Sequence, residues 1–407
     1  MFPKSVAAAA AAALIAGSAI ATAVEHSADE RALAAEARLS LRLIGELAKD
    51  RGRGNNLVVS PASLAAVLSL LDIGTDAQMR AAIHKALGFD PDRPDAAGDL
   101  EYLRALVTKL GKGVEDKDTL LALANWIVFD PKSAPVDAAL RKLRAAGARV
   151  TQDDLSDPAT IKAINNWVAE RTKGLIPSIL DEGPKMSGLV ALDALYFKAV
   201  WLEPFAKSAT HAEPFHLVGG STFEVQMMEK LFSRIAFRRD GRFVAVDLPY
   251  KNSRFSLVVV TTTDKPASAG EFSGLESWLY GDGFTSTRVR LSLPRFTIED
   301  KNEMLEALNK LGLAAGQSSP TALTGLAENL GGISAITQKT YLRIDEEGSE
   351  AAAATAVAVR TASAPRPDFE EMKVDKPFLF ALRDGETGLV LMSGYVGRPT
   401  PVKTAAQ

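Results

Sequence analysis

The 407-residue chain has no cysteine, so no disulfide framework and no thiolate metal site supports it, and its stability must come from packing. Histidine is scarce, with only His26, His84, His211 and His216. The last two are five apart with Glu213 between them. Without cysteine or a helical period that spacing makes no metal site, and both read as surface or loop residues. Lys/Arg and Asp/Glu number 47 and 50, yet neither gathers into a long run. The chain therefore lacks an electrostatic footprint for nucleic acid or an anionic membrane. Lys109, Lys112 and Lys117 lie near Glu115 and Asp116 and read as a solvated mixed-charge face. No GxSxG elbow, P-loop or GxGxxG occurs; "LGGIS" and "VGGST" read as glycine turns. Nothing here asks for a catalytic nucleophile of the chain's own, and no cofactor is expected.

With 47% hydrophobic and 24% charged residues, the composition is that of a globular protein able to bury a large core. No Pro/Gly/Ser-rich linker, charge block or internal repeat divides it, which points to one large interwoven domain over residues 24–407. The first 26 residues, "MFPKSVAAAAAAALIAGSAIATAVEH", combine Lys4, an apolar stretch from Val6 to Ala16, and Ala21 and Ala23 flanking Thr22. This is the pattern of a secretory signal peptide over residues 1–23, cut after Ala23. The apolar run is too short, and too broken by Gly17 and Ser18, for a membrane anchor. The mature chain would then carry 46 basic and 50 acidic residues, or −4, and be secreted, to the extracellular space or a periplasm.

Apolar residues recur at helical spacing from Ala32 to Leu47, before "KDRGRGNN" ends the pattern. In "NLVVSPASLAAVLSLLDIG" a short strand meets Ser60-Pro61, an N-cap and first-turn proline that open a mostly buried helix. "AINNWVAERTKGLIPSIL" reads as a helix stopped by Gly174, and "LVALDALYFKAVW" as a central strand, too apolar for a surface one. "RFVAVDLPYKNSRFSLVVVTTT" is a strand pair around "YKNSR", "TRVRLSLPRFTIE" alternates like another strand, and "DKNEMLEALNKLGL" reads as a helix. "KTYLRIDEEG" is a strand, and "KPFLFALRDGETGLVLMSGYVGRP" a hairpin turning at Asp384-Gly385. Interspersed helices and strands, with mostly antiparallel signals late in the chain, make an α+β pattern.

Residues 346–367, "EEGSEAAAATAVAVRTASAPRP", are uncharged between Glu350 and Arg360, poor in large apolar side chains and free of proline until Pro365. As a strand, they would place Ser349, Ala351, Ala353, Thr355, Val357 and Val359 on one face and Glu350, Ala352, Ala354, Ala356, Ala358 and Arg360 on the other. Both charges then share one side. Four consecutive alanines also suit a helix or a disordered linker, and composition alone leaves these readings comparable.

Seven stretches, in order, carry a family likeness: "NLVVSPASLAAVLSLLDIGT", "INNWVAERTKGLIPSIL", "LVALDALYFKAVWLEPF", "VDLPYKNSRFSLVVV", "LPRFTIEDKNEMLEALNKLGL", "RIDEEGSEAAAATA" and "DKPFLFALRDGETGLVLMSGYV". Along nearly its whole mature length the chain resembles a serpin. The resemblance implies a fold of three β-sheets and about nine helices, with an exposed reactive-centre loop at about 346–367. It implies a suicide inhibitor of serine proteases with no catalytic residue of its own, acting as a monomer. After cleavage the loop inserts into the central sheet, a strand addition that releases stored strain. A non-inhibitory serpin, a carrier, chaperone or storage protein, is the alternative; the inward face of "GSEAAAATA" lacks the bulky, charged or proline residues that hinder insertion in such members.

Carried over by position, the hinge is Glu347, Gly348, Ser349, Glu350, Ala351, Ala352, Ala353, Ala354 and Thr355. Ser60 and Ser63 match serines under the sheet's opening region, Trp201 a tryptophan near the insertion point, and Arg295 and Glu346 a Lys–Glu pair there, with Arg for Lys. Asp193 stands where the family usually has Asn and Gln338 where it has His. Asp193 could accept the Gln338 amide, so the family's bond is either rewired or weakened. The family's bond for cleavage usually lies fourteen positions after the hinge glycine, which gives Ala362-Ser363; Arg360-Thr361 is the rival. The first suits elastase-like or subtilisin-like proteases and the second trypsin-like ones.

Overall fold

The computed structural model describes residues 28–52, 54–93, 96–110, 112–184, 188–349 and 368–401. The N-terminal 1–23 segment lies outside them. So do Glu350, Ala351, Ala352, Ala353, Ala354, Thr355, Arg360, Thr361, Ala362 and Ser363.

Two large sheets share one core. In the seven-stranded sheet the order is Phe296–Glu303, Ile333–Ile344, Leu189–Val200, Thr119–Phe129, Val114–Glu115, with Arg149–Gln152 beside Thr119–Phe129 and Gly348–Ser349 beside Leu189–Val200. The nine-stranded sheet runs Leu57–Val59, Val390–Val396, Phe378–Asp384, Phe255–Thr262, Phe243–Pro249, Thr222–Asp240, Thr285–Pro294, Glu370–Lys373, with Thr210–His216 beside Thr222–Asp240. A third, two-stranded sheet joins Ala134–Pro135 to Ala327–Glu328. Among the described residues six α-helices have nine residues or more and three have four or five. None is long and apolar enough to cross a membrane. The expected α+β architecture with three sheets is present.

Leu189–Val200 is central because both of its faces are covered. Leu189, Ala191, Leu195, Phe197 and Ala199 face the main core, whereas Val190, Leu192 and Ala194 face a second cluster with Ile164 and Val168 of helix Pro158–Arg171. A strand buried on both sides has no polar face, which is why its sequence does not alternate. Helix Pro61–Leu71 is buried along its whole length. Its cap is built as the sequence predicts: extended Ser60 accepts the Ser63 amide on its hydroxyl, and Pro61 occupies the first turn.

Two segments differ from the sequence reading. "TRVRLSLPRFTIE" is two strands in two sheets, Thr285–Pro294 and Phe296–Glu303, with Arg295 at the crossing. Pro294 has no N–H to continue a ladder, and the Arg295 amide bonds the Gln226 carbonyl instead. "DKNEMLEALNKLGL" begins as strand, and its helix starts only at Met304. The polar residues that look like a helix start are buried ties to the neighbouring sheet. Asp300 accepts the Val58 amide at 2.9 Å, and Asn302 donates to the Val58 carbonyl at 2.9 Å. Helix Pro158–Arg171 also stops three residues before Gly174.

Candidate functional site

The Leu189–Val200 strand pairs with the whole of Thr119–Phe129, from Phe129 opposite Leu189 to Thr119 opposite Ala199. On its other side it pairs in parallel with Ile333–Ile344, but only as far as Tyr196 opposite Tyr341. Beyond that point the two strands part. The chain turns through Asp345, Glu346 and Glu347 and comes back antiparallel, with Gly348 opposite Val200 and Ser349 opposite Ala199. The last two residues before the undescribed 350–367 segment thus lie as a strand against the upper end of the central strand.

Glycine is required at the first of these positions. Gly348 has φ +151, and a Cβ built there would stand 2.0 Å from the Ala199 carbonyl oxygen, a distance no side chain tolerates. Ser349 is fully buried, and its hydroxyl lies 2.6 Å from the Tyr250 hydroxyl. Tyr250 stacks on Trp201 with ring centroids 4.3 Å apart, and burial holds its phenol well above the usual tyrosine range. Trp201 in turn grips the turn by both of its N–H groups: the indole Nε1 donates to the Asp345 carbonyl at 2.9 Å and the backbone amide to the Glu347 carbonyl at 2.9 Å.

Three adjacent carboxylates buried in one turn need three cations, and each has one. Arg343 reaches Asp345 at 3.0 Å, Arg295 reaches Glu346 at 3.5 Å and Lys207 reaches Glu347 at 2.6 Å. Thr210 adds a hydroxyl to Glu346 at 2.7 Å. Burial raises the Asp345 carboxyl above its usual range, and the bond to Glu347 raises the exposed Lys207.

Lower in the same seam, Ser60, Ser63, Asp193 and Gln338 come together. Gln338 Nε2 donates to Asp193 Oδ2 at 2.7 Å and to the Ser60 carbonyl at 3.0 Å, while Gln338 Oε1 accepts the Ser60 amide at 2.7 Å. The Ser60 hydroxyl donates to the Leu391 carbonyl at 2.6 Å, and the Ser63 hydroxyl lies beside Asp193. One side chain, Gln338, therefore clamps the parallel pair of strands to the helix beneath them. Tyr250, Lys207, Thr210 and Arg343 were not legible as site residues. Tyr250 stands in "LPYKNSR", which reads as a turn, and no local pattern says that its ring meets Trp201 and Ser349 across the fold.

Tyr250→Phe removes one hydroxyl and leaves the buried Ser349 hydroxyl unmatched. It should lower stability to urea by about 1–2 kcal/mol and speed hydrogen exchange at the Gly348 and Ser349 amides. Unchanged exchange there would mean that the backbone pairing with Ala199 and Val200 holds the hinge alone.

A parted pair of parallel strands, with a third strand started antiparallel at the gap, is a sheet with room for a further member. Its surroundings agree with what the chain is similar to. Residues 34–399 match the family model described as Serpin (serine protease inhibitor). The chain is 32% identical to "Serine protease inhibitor 42Dd" of Drosophila melanogaster, covering 84% of this chain and 91% of that one. It is 30% identical to "Leukocyte elastase inhibitor" of Sus scrofa, covering 91% and 100%. Among solved structures it superposes on the thermophilic serpin Tengpin in the native state with a TM-score of 0.79 and 26% identity, over 92% of this chain and 96% of that one. By sequence along nearly its whole length and by the architecture of its parted sheet, the chain belongs to the serpin family.

Proposed function

We propose that the protein is an exported suicide inhibitor of serine proteases that traps its target by inserting the cleaved loop between Leu189–Val200 and Ile333–Ile344. The target's catalytic serine attacks the carbonyl carbon before the scissile bond. The peptide C–N bond breaks, the new amine takes a proton from the target's histidine and leaves, and an ester joins the two proteins. Insertion then pulls the ester and the attached protease along the sheet, deforming the oxyanion hole before water can hydrolyse the acyl-enzyme. The inhibitor contributes position and stored conformational energy, and no catalytic group.

The observation that carries this reading is the start of the third strand, Gly348 and Ser349 antiparallel to Val200 and Ala199 with Ser349 buried. Insertion continues a pairing already begun. The names of the relatives, a serine protease inhibitor and a leukocyte elastase inhibitor, support a serine protease as partner. A small residue before the bond in Ala362-Ser363 suits shallow or tolerant primary pockets, so elastase-like or subtilisin-like enzymes are the first targets to try. Arg360-Thr361 serves a trypsin-like enzyme but shortens the inserted strand by two residues. Arg366 is followed by Pro367, which hinders a cut there.

Incubation with elastase-like, subtilisin-like and trypsin-like proteases, read on denaturing gels, tests the proposal. The expected result is an SDS-resistant adduct and a released C-terminal peptide that begins at Ser363 by mass spectrometry. A peptide beginning at Thr361 reassigns the target to the trypsin-like class. Clean cleavage without adduct by all three supports a carrier, chaperone or storage role instead. The exported monomer should begin at Val24.

A further inference from the structure

Half of the Asp193 carboxyl group has nothing to bond to. Its Oδ2 takes the Gln338 amide proton, and its Oδ1 is buried without a donor. The residue opposite Asp193 on the Thr119–Phe129 strand is Asn125, and the Asn125 Oδ1 is likewise buried without a donor. Odd-numbered residues of both strands face the main core, so the two side chains stand in register on one face, where facing Cβ atoms are about 5 Å apart. One hydrogen carried from the carboxyl toward Asn125 would match both orphaned oxygens.

We propose that Asp193 carries that hydrogen while the sheet is closed and releases it when Leu189–Val200 and Ile333–Ile344 part, so that pH sets how readily the seam opens to an incoming strand. The proposal rests on the insertion reading above. As a neutral acid, Asp193 donates from Oδ1 toward Asn125 and accepts from Gln338 on Oδ2, and both orphaned oxygens are matched. As a carboxylate it is a buried charge facing an amide and a hydroxyl and no cation, the arrangement that is costly in a sheet interior.

No neighbouring charge corrects this. Thr119–Phe129 and helix Pro61–Leu71 carry no titratable side chain. Beyond Asn125, Arg104 and Arg171 line a cavity of about 30 Å³, but Arg104 is held by Asp72 at 2.7 Å and by the Ser69 carbonyl, and Arg171 is exposed to solvent with its guanidinium 5.9 Å from the Trp167 ring centroid. Lys339, next to Gln338, lies on the opposite face with Glu299 at 2.9 Å. On Phe296–Glu303, Asp300 is paired with Arg51 and Glu303 accepts the Thr337 hydroxyl. Tyr196 and Lys198 of its own strand, and helix Pro158–Arg171 with Lys162 and Glu170, belong to the other side of the sheet.

Burial accordingly pushes the Asp193 carboxyl up to about 7, with the Gln338 bond and the nearby Ser63 hydroxyl pulling the other way. Once the strands part and water arrives, it returns toward about 3.9. The group is raised in the closed state, so the proton's contribution to closure is complete below about pH 4 and fades as pH rises through about 7. Opening becomes easier with rising pH. Between about pH 5 and pH 8 the two values allow roughly an 80-fold change, and a partly wetted transition state makes it smaller.

The test uses the full-length protein and a synthetic peptide copying residues 349–360 as the incoming strand, with incorporation followed by native gel from about pH 5 to pH 8. The wild type should take up peptide at least about tenfold faster at the alkaline end, whereas Asp193→Asn, which keeps the shape and cannot ionise, should be flat within about threefold. Parallel profiles with normal uptake overturn the switch and leave the insertion reading standing. Failure of uptake at every pH removes the insertion reading and the switch with it. Infrared difference spectra of wild type against Asp193→Asn at about pH 5.5 give a readout that needs no peptide. A protonated-carboxyl band is expected, and its absence overturns the proposal.

Discussion

Ser349→Arg should leave the protein folded and cleavable but turn it from inhibitor into substrate. Ser349 is the first residue of the started strand whose side chain points inward. It is fully buried, its hydroxyl sits on that of Tyr250, and its backbone is already opposite Ala199. An arginine cannot enter that space without stripping water from its guanidinium, and the three carboxylates nearby each hold a cation already, so in the intact variant residues 348–349 lift off the sheet edge into water and the cost is met when insertion has to carry them back in. An unpaired buried charge costs several kcal/mol. At about 1.4 kcal/mol per decade, a cost of about 3 kcal/mol slows insertion roughly a hundredfold, which gives water time to free the acyl-enzyme. The adduct band should fall to a minor species while the cleaved band grows, with the cleavage rate itself unchanged. Ala351→Arg should behave alike, because period-two alternation puts residue 351 on the face of residue 349. Glu350→Arg is the control: it falls on the opposite face, already the charged side, and should keep its adduct. Full adduct yield in Ser349→Arg would show that this face is not the one buried during insertion.

How far the fold could be read from sequence follows the kind of signal each element carries. Helix Pro61–Leu71 declared itself through Ser60-Pro61, a local cap that works through bonds within four residues. Leu189–Val200 declared itself through being apolar on both faces, and the Asp384-Gly385 hairpin through its turn. What failed were segments whose polar residues serve a distant partner. Asp300 and Asn302 imitate the start of a helix, yet their side chains belong to Val58 in the other sheet. Local propensity cannot register such a tie. The crossing at Arg295 was missed for a related reason, since alternation continues through the point at which the chain changes sheets.

Site residues divide along the same line. Trp201, Arg295, Glu346, Asp193 and Gln338 were reached by position within a resemblance, and that route supplies residue and place but not environment. That Asp193 has an unmatched oxygen, and that Asn125 faces it with another, depends on strand register and is invisible in "LVALDALYF" or "LLALANWIV". Tyr250 and Lys207 had no route at all. Each lies about 100 or more residues from the hinge group it holds, Ser349 or Glu347, and a tyrosine in a turn has many innocent explanations.

A verified cut at Ala362-Ser363 should raise the melting temperature by about 10 °C or more, which for a chain of this size corresponds to several kcal/mol. In the intact protein the segment is held at both ends. Ser349 is paired at the top of the seven-stranded sheet, and Glu370–Lys373 is fixed in the nine-stranded one, parallel to Thr285–Pro294. A segment tied at both ends cannot run down the seam. Once it is cut, residues from Glu350 onward are free to follow Ser349 between Leu189–Val200 and Ile333–Ile344. One parallel row of ladder bonds is then replaced by two antiparallel ones, and antiparallel pairing is the more stable per residue. The inward side chains would be Ala351, Ala353, Thr355, Val357 and Val359, small enough to enter without forcing the core apart and apolar enough to gain by leaving water. Arg360 and Glu350 stay on the wet side. Opposing this is the ordering of about ten residues, which the ladder and the burial must exceed for insertion to proceed at all. Calorimetry of the intact and the cut protein decides it. Equal melting temperatures, with the cut confirmed by mass spectrometry, would mean that the loop does not enter the sheet, and the trapping mechanism would fall with that result.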